Sequence, residues 1–495
     1  MSATTDKKVV INKRQKGLSR EALGKLSQTE LIDKIVQLEA YNFQLRNLLH
    51  KKLTEHDRSN AEYAELLGKE TEATVPKEST QSSKVQKQRK FDWSSAHRRH
   101  VLLKVTYFGW DYQGFACQED SNDTIESHLF RALTRTCLIE SRATSNYHRC
   151  GRTDKEVSAF CQVISIDLRS KHAPETQLES AALSSEIDYC GLLNRVLPKN
   201  IQCVAWMPLR SPVYSARFDC TSRSYRYYFP KGDLDIEAMQ EACKLLVGHS
   251  DFRNFCKMDV HNGVTKFIRN LQAARVAPCE ERLNHTGYDM YYLEIKANAF
   301  LWHQIRCIMA VLLLVGQQRE QPRIVSDLLD VETNPCKPQY TPALGLPLNL
   351  FHCDFRDRTT RKLNHHPADG DEDDEAMDTS AMEVEINENS AVEKDLTNWI
   401  YNEENLQKLI ENVQSEWTQF SVKSTMIRNV LQELENLLET NYHQKESVTA
   451  QVLLLQDSVK PRQYLPLLER KRCESLENRI EHFVKKQRLI VKDES

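Results

Sequence analysis

One order of apolar periodicities occurs twice between residues 97 and 357, and it restricts this chain to few architectures. In the first pass HVLLKVTYF has the character of a strand. A turn-rich stretch follows, then TIESHLFRALTRTC, whose Ile125, Leu129, Leu133 and Cys137 fall four apart on one helical face. AFCQVISIDL alternates, with Phe160, Ile164, Ile166 and Leu168 on one side of a strand. In the second pass the strand RSYRYYFP precedes the helical segment DIEAMQEACKLLVGH, the strands IRNLQAARVAP and MYYLEIKANAF, and the apolar helix LWHQIRCIMAVLLLVG. Two such halves, at about 97–215 and 216–357, argue for an α+β domain rather than a doubly wound parallel sheet.

Outside that domain the chain changes character. Residues 1–90 are polar except for SQTELIDKIVQLEAYNFQLRNLLHKK, which opens on a capping-box pair, Ser27 and Glu30. Leu31, Leu38 and Leu45 then fall at d positions, and Ile35, Asn42 and Leu49 at a. The pattern predicts a short coiled coil over 27–52, its a-position Asn favouring a parallel dimer; an amphipathic helix docked on its own domain fits equally well. Residues 358–395 contain the acidic run DGDEDDEAMDTSAMEVEINE, which predicts a solvated, disordered linker. Residues 396–495 read as a helical tail ending in the basic segment YLPLLERKRCESLENRIEHFVKKQR.

The net charge of −3 averages opposite blocks. From Lys84 to Lys104 seven Lys or Arg, Arg98 and Arg99 among them, stand against the single acid Asp92, a density suited to phosphate. The most apolar run, CIMAVLLLVG, is well short of the roughly 20 residues that cross a bilayer, so no membrane partner is expected. The amino-terminal MSATTDKKVVINKRQKG lacks the apolar core of a secretory leader, and the expected location is the nucleus, the cytoplasm or both. Fourteen cysteines are scattered singly with no C-x-x-C pair. Their spacing offers neither a zinc ligand pair nor a disulfide framework, so no metal is expected and most should be small buried apolar residues.

Neither a phosphate-cradling glycine loop nor H-E-x-x-H occurs. What remains is HRCGRTDKEVSAF, which sets Asp154 between Arg152 and Lys155 just before a strand. By residue type alone an exposed ion pair in a turn is the simpler explanation, and a catalytic carboxylate is the other. ARFDCTSRSYRYYFP interleaves Arg217, Arg223 and Arg226, which can meet phosphates, with Tyr225, Tyr227 and Tyr228, whose rings can take a base. Alternation puts Tyr225 and Tyr227 on one face of the strand, Arg226 and Tyr228 on the other, and at least one of these tyrosines is simply core. Arg306 lies in an otherwise apolar helix. Burying it unpaired would cost several kcal/mol, so an aspartate of the same domain is its natural partner.

At these residues the chain resembles a known family. GRTDKEVSA is similar to the GRTDKGVSA motif of the TruA family of tRNA pseudouridine synthases. YFGWDYQGFACQ with TIESHL, LLNRVLPKNI, YSARFDCTSRSYRYYF and ANAFLWHQIRCIMAVLLLVG follow in the family's order over roughly residues 100–356. DFRNFCKMDV and LGLPLNLFHCDF resemble the eukaryotic branch that modifies positions 38 and 39 of the tRNA anticodon stem-loop. The resemblance implies two ferredoxin-like halves merged into one mainly antiparallel sheet flanked by helices, acting as a homodimer on tRNA without cofactor or metal. It implies that Asp154 is the nucleophile of a uridine-to-pseudouridine isomerisation, that Tyr225 stacks on the target base, and that Arg306 pairs with Asp154. Arg152 would fill the space left by the flipped nucleotide. Arg98, Arg99, Arg217, Arg223 and Arg226 are the candidates for the RNA backbone. The same chemistry at other tRNA uridines, or a tRNA-binding chaperone without the chemistry, are the alternatives.

One residue departs from the family pattern. Glu156 stands where the family has glycine, and a positive φ there would cost of order 1 kcal/mol. Activity is expected to survive, with Lys155 or Arg152 neutralising the added charge. The polar stretch SKHAPETQLESAALSSE, residues 170–186, is expected to be a surface loop inserted after the catalytic strand.

Overall fold

The computed structural model describes residues 8–11, 91–118, 123–280, 287–356, 396–443, 455, 463–486 and 489–492. The predicted coiled coil at 27–52 and the acidic linker lie outside the described residues. In chain order the strands are β1 (Lys8–Ile11), β2 (His97–Tyr107), β3 (His148–Arg149), β4 (Ser158–Ser170), β5 (Ile201–Pro208) and β6 (Cys220–Pro230). They continue with β7 (Gly248–Asp251), β8 (Ile268–Pro278), β9 (Met290–Ala297), β10 (Leu348–Phe355) and β11 (Leu489–Lys492). The helices are α1 (Ile125–Arg135), α2 (Ser180–Ser185), α3 (Tyr189–Asn194), α4 (Ile236–Leu246), α5 (Gln304–Gly316), α6 (Ile324–Leu329), α7 (Glu403–Tyr442) and α8 (Leu476–Lys485).

A single mixed sheet of nine strands, flanked by helices, organises the molecule. Its order is β5-β2-β4-β10-β6-β9-β8-β7, with β3 paired on β4. Every neighbouring pair in it runs antiparallel except β4 with β10, where Ser158 lies opposite Asn349 and Ala159 opposite Leu350. That parallel seam joins the strands of the first pass to those of the second. Parallel neighbours need a long crossover, and here the chain from residue 171 to 347, β5 included, supplies it. A separate two-stranded pair, β1 with β11, brings Lys8 opposite Lys492.

The helices lie where their apolar faces require. In α1, Ile125, Leu129 and Leu133 are buried, and Thr124 caps the first turn through Ser127. The helix ends at Arg135, so Cys137 lies just beyond it with φ of 50°, off the face expected from spacing. Helix α5 is apolar almost all round, and every one of its residues except Arg306 is buried. No helix among the described residues is long and apolar enough to cross a membrane.

Two regions differ from expectation. The inserted segment 170–186 is not merely a surface loop: it contains α2, and it ends on buried Glu186, which forms an ion pair with buried Arg99 at 3.0 Å. A carboxylate facing a buried guanidinium cannot be read from a polar stretch, because the partner lies far away in sequence. The tail after residue 396 is a built part of the domain rather than a free helix. Ile400 bridges to Trp206 and Leu396 to Leu209, Arg472 bridges to Pro338, and Leu455, Leu467 and Leu476 are buried.

Candidate active site

Asp154 sits in the loop between β3 and β4, at the upper end of the parallel seam. Backbone hydrogen bonds clamp that loop. Phe115 N–H donates to Thr153 O at 3.1 Å, Glu156 N–H to Tyr112 O at 3.1 Å, and Val157 N–H to Asp154 O at 3.2 Å. The last closes a four-residue turn with Glu156 third, at φ of 67°, while Lys155 keeps negative φ; this is the pattern of a type II turn, whose third position favours glycine. Glu156 therefore occupies the position where a side chain costs most. Its half-buried carboxylate lies 3.7 Å from the exposed Lys155 Nζ, a solvated pair worth little. Close approach from two other segments fixes the same loop. A Cβ on Gly345 would stand 2.7 Å from Lys155 O, and one on Gly114, itself at φ of 103°, 3.0 Å from Thr153 O.

The carboxylate of Asp154 is 25 % exposed. Its Oδ2 lies 3.7 Å from Arg306 Nη1 and 3.5 Å from His303 Nε2. Burial pushes its carboxyl above the usual range, and Arg306 chiefly, with the Trp302 indole and Lys257, opposes that rise. Arg306 is aimed by its own Nε, which donates to Ala343 O at 2.7 Å, and by His303 at 3.3 Å from Nη1. His303 caps α5 in a left-handed conformation, φ of 58°. Burial and the neighbouring cations Arg306, Lys257 and Lys337 pull its imidazole down to about 4, so it is neutral at physiological pH. With Nε2 unprotonated, the neutral imidazole accepts from Arg306 Nη1 and adds no positive charge of its own beside the carboxylate.

On β6, Tyr225 pairs in register with Leu350 of β10 and Ile295 of β9. Tyr225 and Tyr227 are buried and Arg226 and Tyr228 half-buried, the alternation read from sequence. The Tyr225 ring meets Phe300 edge-on at 5.3 Å, and burial drives its hydroxyl well above the ordinary range. Its hydroxyl lies 3.8 Å from where a Cβ on Gly151 would stand, which places it beside the loop of Asp154.

The remaining arginines divide. Arg152 is exposed on the loop, and Arg217 is half-buried with its guanidinium 5.1 Å from the Phe218 ring. Arg98 is exposed and reaches Glu140 at 3.2 Å and Thr144 O at 3.0 Å. Arg99 is 2 % exposed and is held by Glu186, over the ring of Trp206. Arg223 donates through Nε to Cys150 O at 2.8 Å, and Arg226 is held by Glu294 at 3.2 Å with its guanidinium 3.7 Å from the Phe351 ring. All four of Arg98, Arg99, Arg223 and Arg226 are thus engaged by protein partners, and of these only Arg99 is buried. Sequence reasoning did not single out His303, Trp302 or Lys257. Helical spacing could not have found His303, because it precedes α5 as a left-handed cap and only the turn brings it to Arg306.

A carboxylate that burial makes costly to ionise, with an adjacent guanidinium favouring its charged form and one side open, can serve as a nucleophile or general base. Comparison with known proteins identifies the family. A model of the tRNA pseudouridine synthase family matches residues 242–356. The chain is 41 % identical over 425 residues to the human tRNA pseudouridine(38/39) synthase, covering 81 % of this chain and 80 % of that protein. It is 37 % identical over 315 residues to the Saccharomyces cerevisiae protein of the same name, covering 62 % of this chain and 70 % of that one. It is also 32 % identical over 250 residues to tRNA pseudouridine synthase A of Methanosarcina mazei, covering 50 % of this chain and 82 % of that one.

Proposed function

This chain belongs to the tRNA pseudouridine synthase family, and we propose that it isomerises uridine to pseudouridine in the anticodon stem-loop of tRNA, at positions 38 and 39. The observation that carries the reading is Asp154 Oδ2, held 3.7 Å from Arg306 Nη1 at a partly open position above the seam of the sheet. Its relatives of 41 % identity bear that activity in their names.

In this reading Asp154 attacks the target nucleotide, at C6 of uracil or at C1′ of ribose. The N1–C1′ bond breaks, the uracil turns in the site, and a C5–C1′ bond forms. The proton on C5 leaves and N1 acquires one, so atoms balance with no redox change. Arg306 keeps the carboxylate charged and aimed, and His303 supports that guanidinium. Tyr225 stacks on the base, its buried hydroxyl staying neutral at physiological pH. Arg152, exposed on the same loop, enters the space that the flipped nucleotide vacates. Arg98 and Arg217, on exposed or half-exposed positions, are the better placed of the five arginines to meet phosphate.

The same reading takes the sheet as two ferredoxin-like halves merged at the β4–β10 seam, and the protein as a homodimer. An apolar row on α7, with Val413, Trp417, Phe420, Ile427 and Leu434 exposed, supports a second copy. Light scattering on the full chain tests that state. Nucleus and cytoplasm, where tRNA matures and works, are the proposed locations, tested by imaging a tagged chain.

Tritium release from tRNA transcripts labelled at uridine C5 tests the chemistry and the target together, since isomerisation must expel the C5 hydrogen. Release is expected from wild-type protein and should vanish when uridines 38 and 39 are both replaced. Release that persists without them would move the target elsewhere. Tight binding without release would make the protein a tRNA binder.

A further inference from the structure

Three cysteines from distant parts of the chain bring their sulfurs together beneath the catalytic loop. Cys150 follows β3 and leads into that loop, Cys220 opens β6, and Cys353 lies on β10. All three are buried, and their Sγ atoms lie within 4.8 Å of one another. Cys150 and Cys353, 203 residues apart in sequence, have sulfurs 3.4 Å apart. That is far longer than the roughly 2.05 Å of a disulfide. A cation with metal–sulfur bonds of about 2.3 Å holds its sulfurs about 3.8–4.0 Å apart in tetrahedral or trigonal geometry. The cluster brackets that spacing.

Two neighbours suit the same purpose. Gln162, wholly buried, accepts the Cys150 S–H at its side-chain oxygen at 3.0 Å, and its amide nitrogen is fixed on Gly151 O at 3.0 Å. When a metal displaces the Cys150 proton, which is released to solvent, that oxygen loses its donor and, 3.0 Å from the sulfur, is within reach of the same ion. Arg223 donates to Cys150 O and interacts electrostatically with all three cysteines. A divalent ion with three thiolates carries one negative charge, and Arg223 brings the compensating positive one. Buried charge is tolerated when balanced in this way.

We propose that Cys150, Cys220 and Cys353, completed by Gln162, form a structural site for one zinc-type d10 cation. Its work is mechanical. It ties the root of the Asp154 loop to the strand that carries Tyr225 and to the strand on the other side of the seam, fixing the gap in which a base must fit. The ion is enclosed by protein and takes no part in the isomerisation. Thiolate ligands choose zinc or copper(I) over the harder divalent ions, and the neutral charge sum favours zinc. The scattered cysteine spacing hid the site, because its ligands come from three strands instead of one knuckle.

The test uses the full chain, reduced, stripped of metal and titrated with zinc against a chromophoric chelator. Wild-type protein and Cys243→Ala, altered in α4 outside the cluster, should each bind about one equivalent. Cys150→Ala, Cys220→Ala and Cys353→Ala should each bind at least tenfold more weakly. Cobalt(II) in place of zinc should give thiolate charge-transfer bands. Should the variants fail to fold, alkylation of wild-type protein followed by peptide mapping decides: zinc should shield residues 150, 220 and 353 and leave the other thiols unchanged. Three results would overturn the proposal: no stoichiometric zinc at micromolar free ion, shielding at other cysteines, or a Cys150–Cys353 disulfide in the reduced preparation.

Discussion

Two opposed influences act on the carboxylate of Asp154, the nucleophile of the proposed mechanism. Burial raises its pKa, and Arg306 is the largest influence holding it down. The carboxylate must be ionised to attack, so activity is lost as pH falls through its pKa. Arg306→Gln removes the leading opposing charge, and the acid limb of kcat/KM should move to higher pH, with a large loss at neutrality. Arg306→Lys should retain part of the shift but not the bond to Ala343 O. An acid limb that stays in place in Arg306→Gln would mean that the guanidinium does not tune this carboxylate. Glu156 makes a second residue-scale case, at φ of 67° where the family has glycine. Glu156→Gly should stabilise the protein by about 1 kcal/mol in chemical denaturation and leave the rate within a few-fold. A many-fold faster variant would instead mark the native residue as an attenuator. Asp154, Arg306 and the strained Glu156 were legible in the sequence, since each stands in a motif with a stated chemical need. His303 was not, because its role depends on a backbone turn that places it between two other side chains.

Helix α1 holds the clearest buried charge among the elements. Glu126 is wholly buried and meets Arg149 at 2.9 Å, Arg142 at 3.1 Å, the Tyr147 hydroxyl at 2.6 Å and Cys117 N–H at 2.8 Å. Burial alone would raise its pKa, yet these partners together hold it below the usual carboxylate value. A lowered folded pKa contributes stability above the unfolded value, and that contribution fades as pH drops through the folded one. Glu126→Gln leaves Arg149 facing no charge and should cost about 3 kcal/mol at neutral pH, the penalty shrinking in acid. Equal penalties at pH 7 and pH 3 would contradict the ionic account. The periodicities that place α1, α4 and α5 were plain in the sequence, because apolar spacing alone sets them. The buried ends of the 170–186 insertion and the strand-like contacts of residues 396–400 were not. Both depend on partners supplied by distant strands, and a polar segment does not advertise such a partner.

At the scale of the whole molecule, the sheet brings together what the sequence keeps apart. The seam of β4 and β10 sets the loop of Asp154 beside the strand of Tyr225, and α5 lays Arg306 across from both. The α+β class and the two-pass order could be read directly, but the parallel joint could not, because register across distant strands leaves no local signature. In the proposed mechanism this assembly makes Asp154 the nucleophile. The most direct measurement is single-turnover pseudouridine formation by Asp154→Asn, which keeps the shape and removes the charge, alongside tRNA affinity for the same variant. The expected result is a rate at least about 10⁴-fold below wild type with affinity changed less than about threefold, since the lost group acts only in the reaction. A variant that keeps its rate within tenfold would contradict the account.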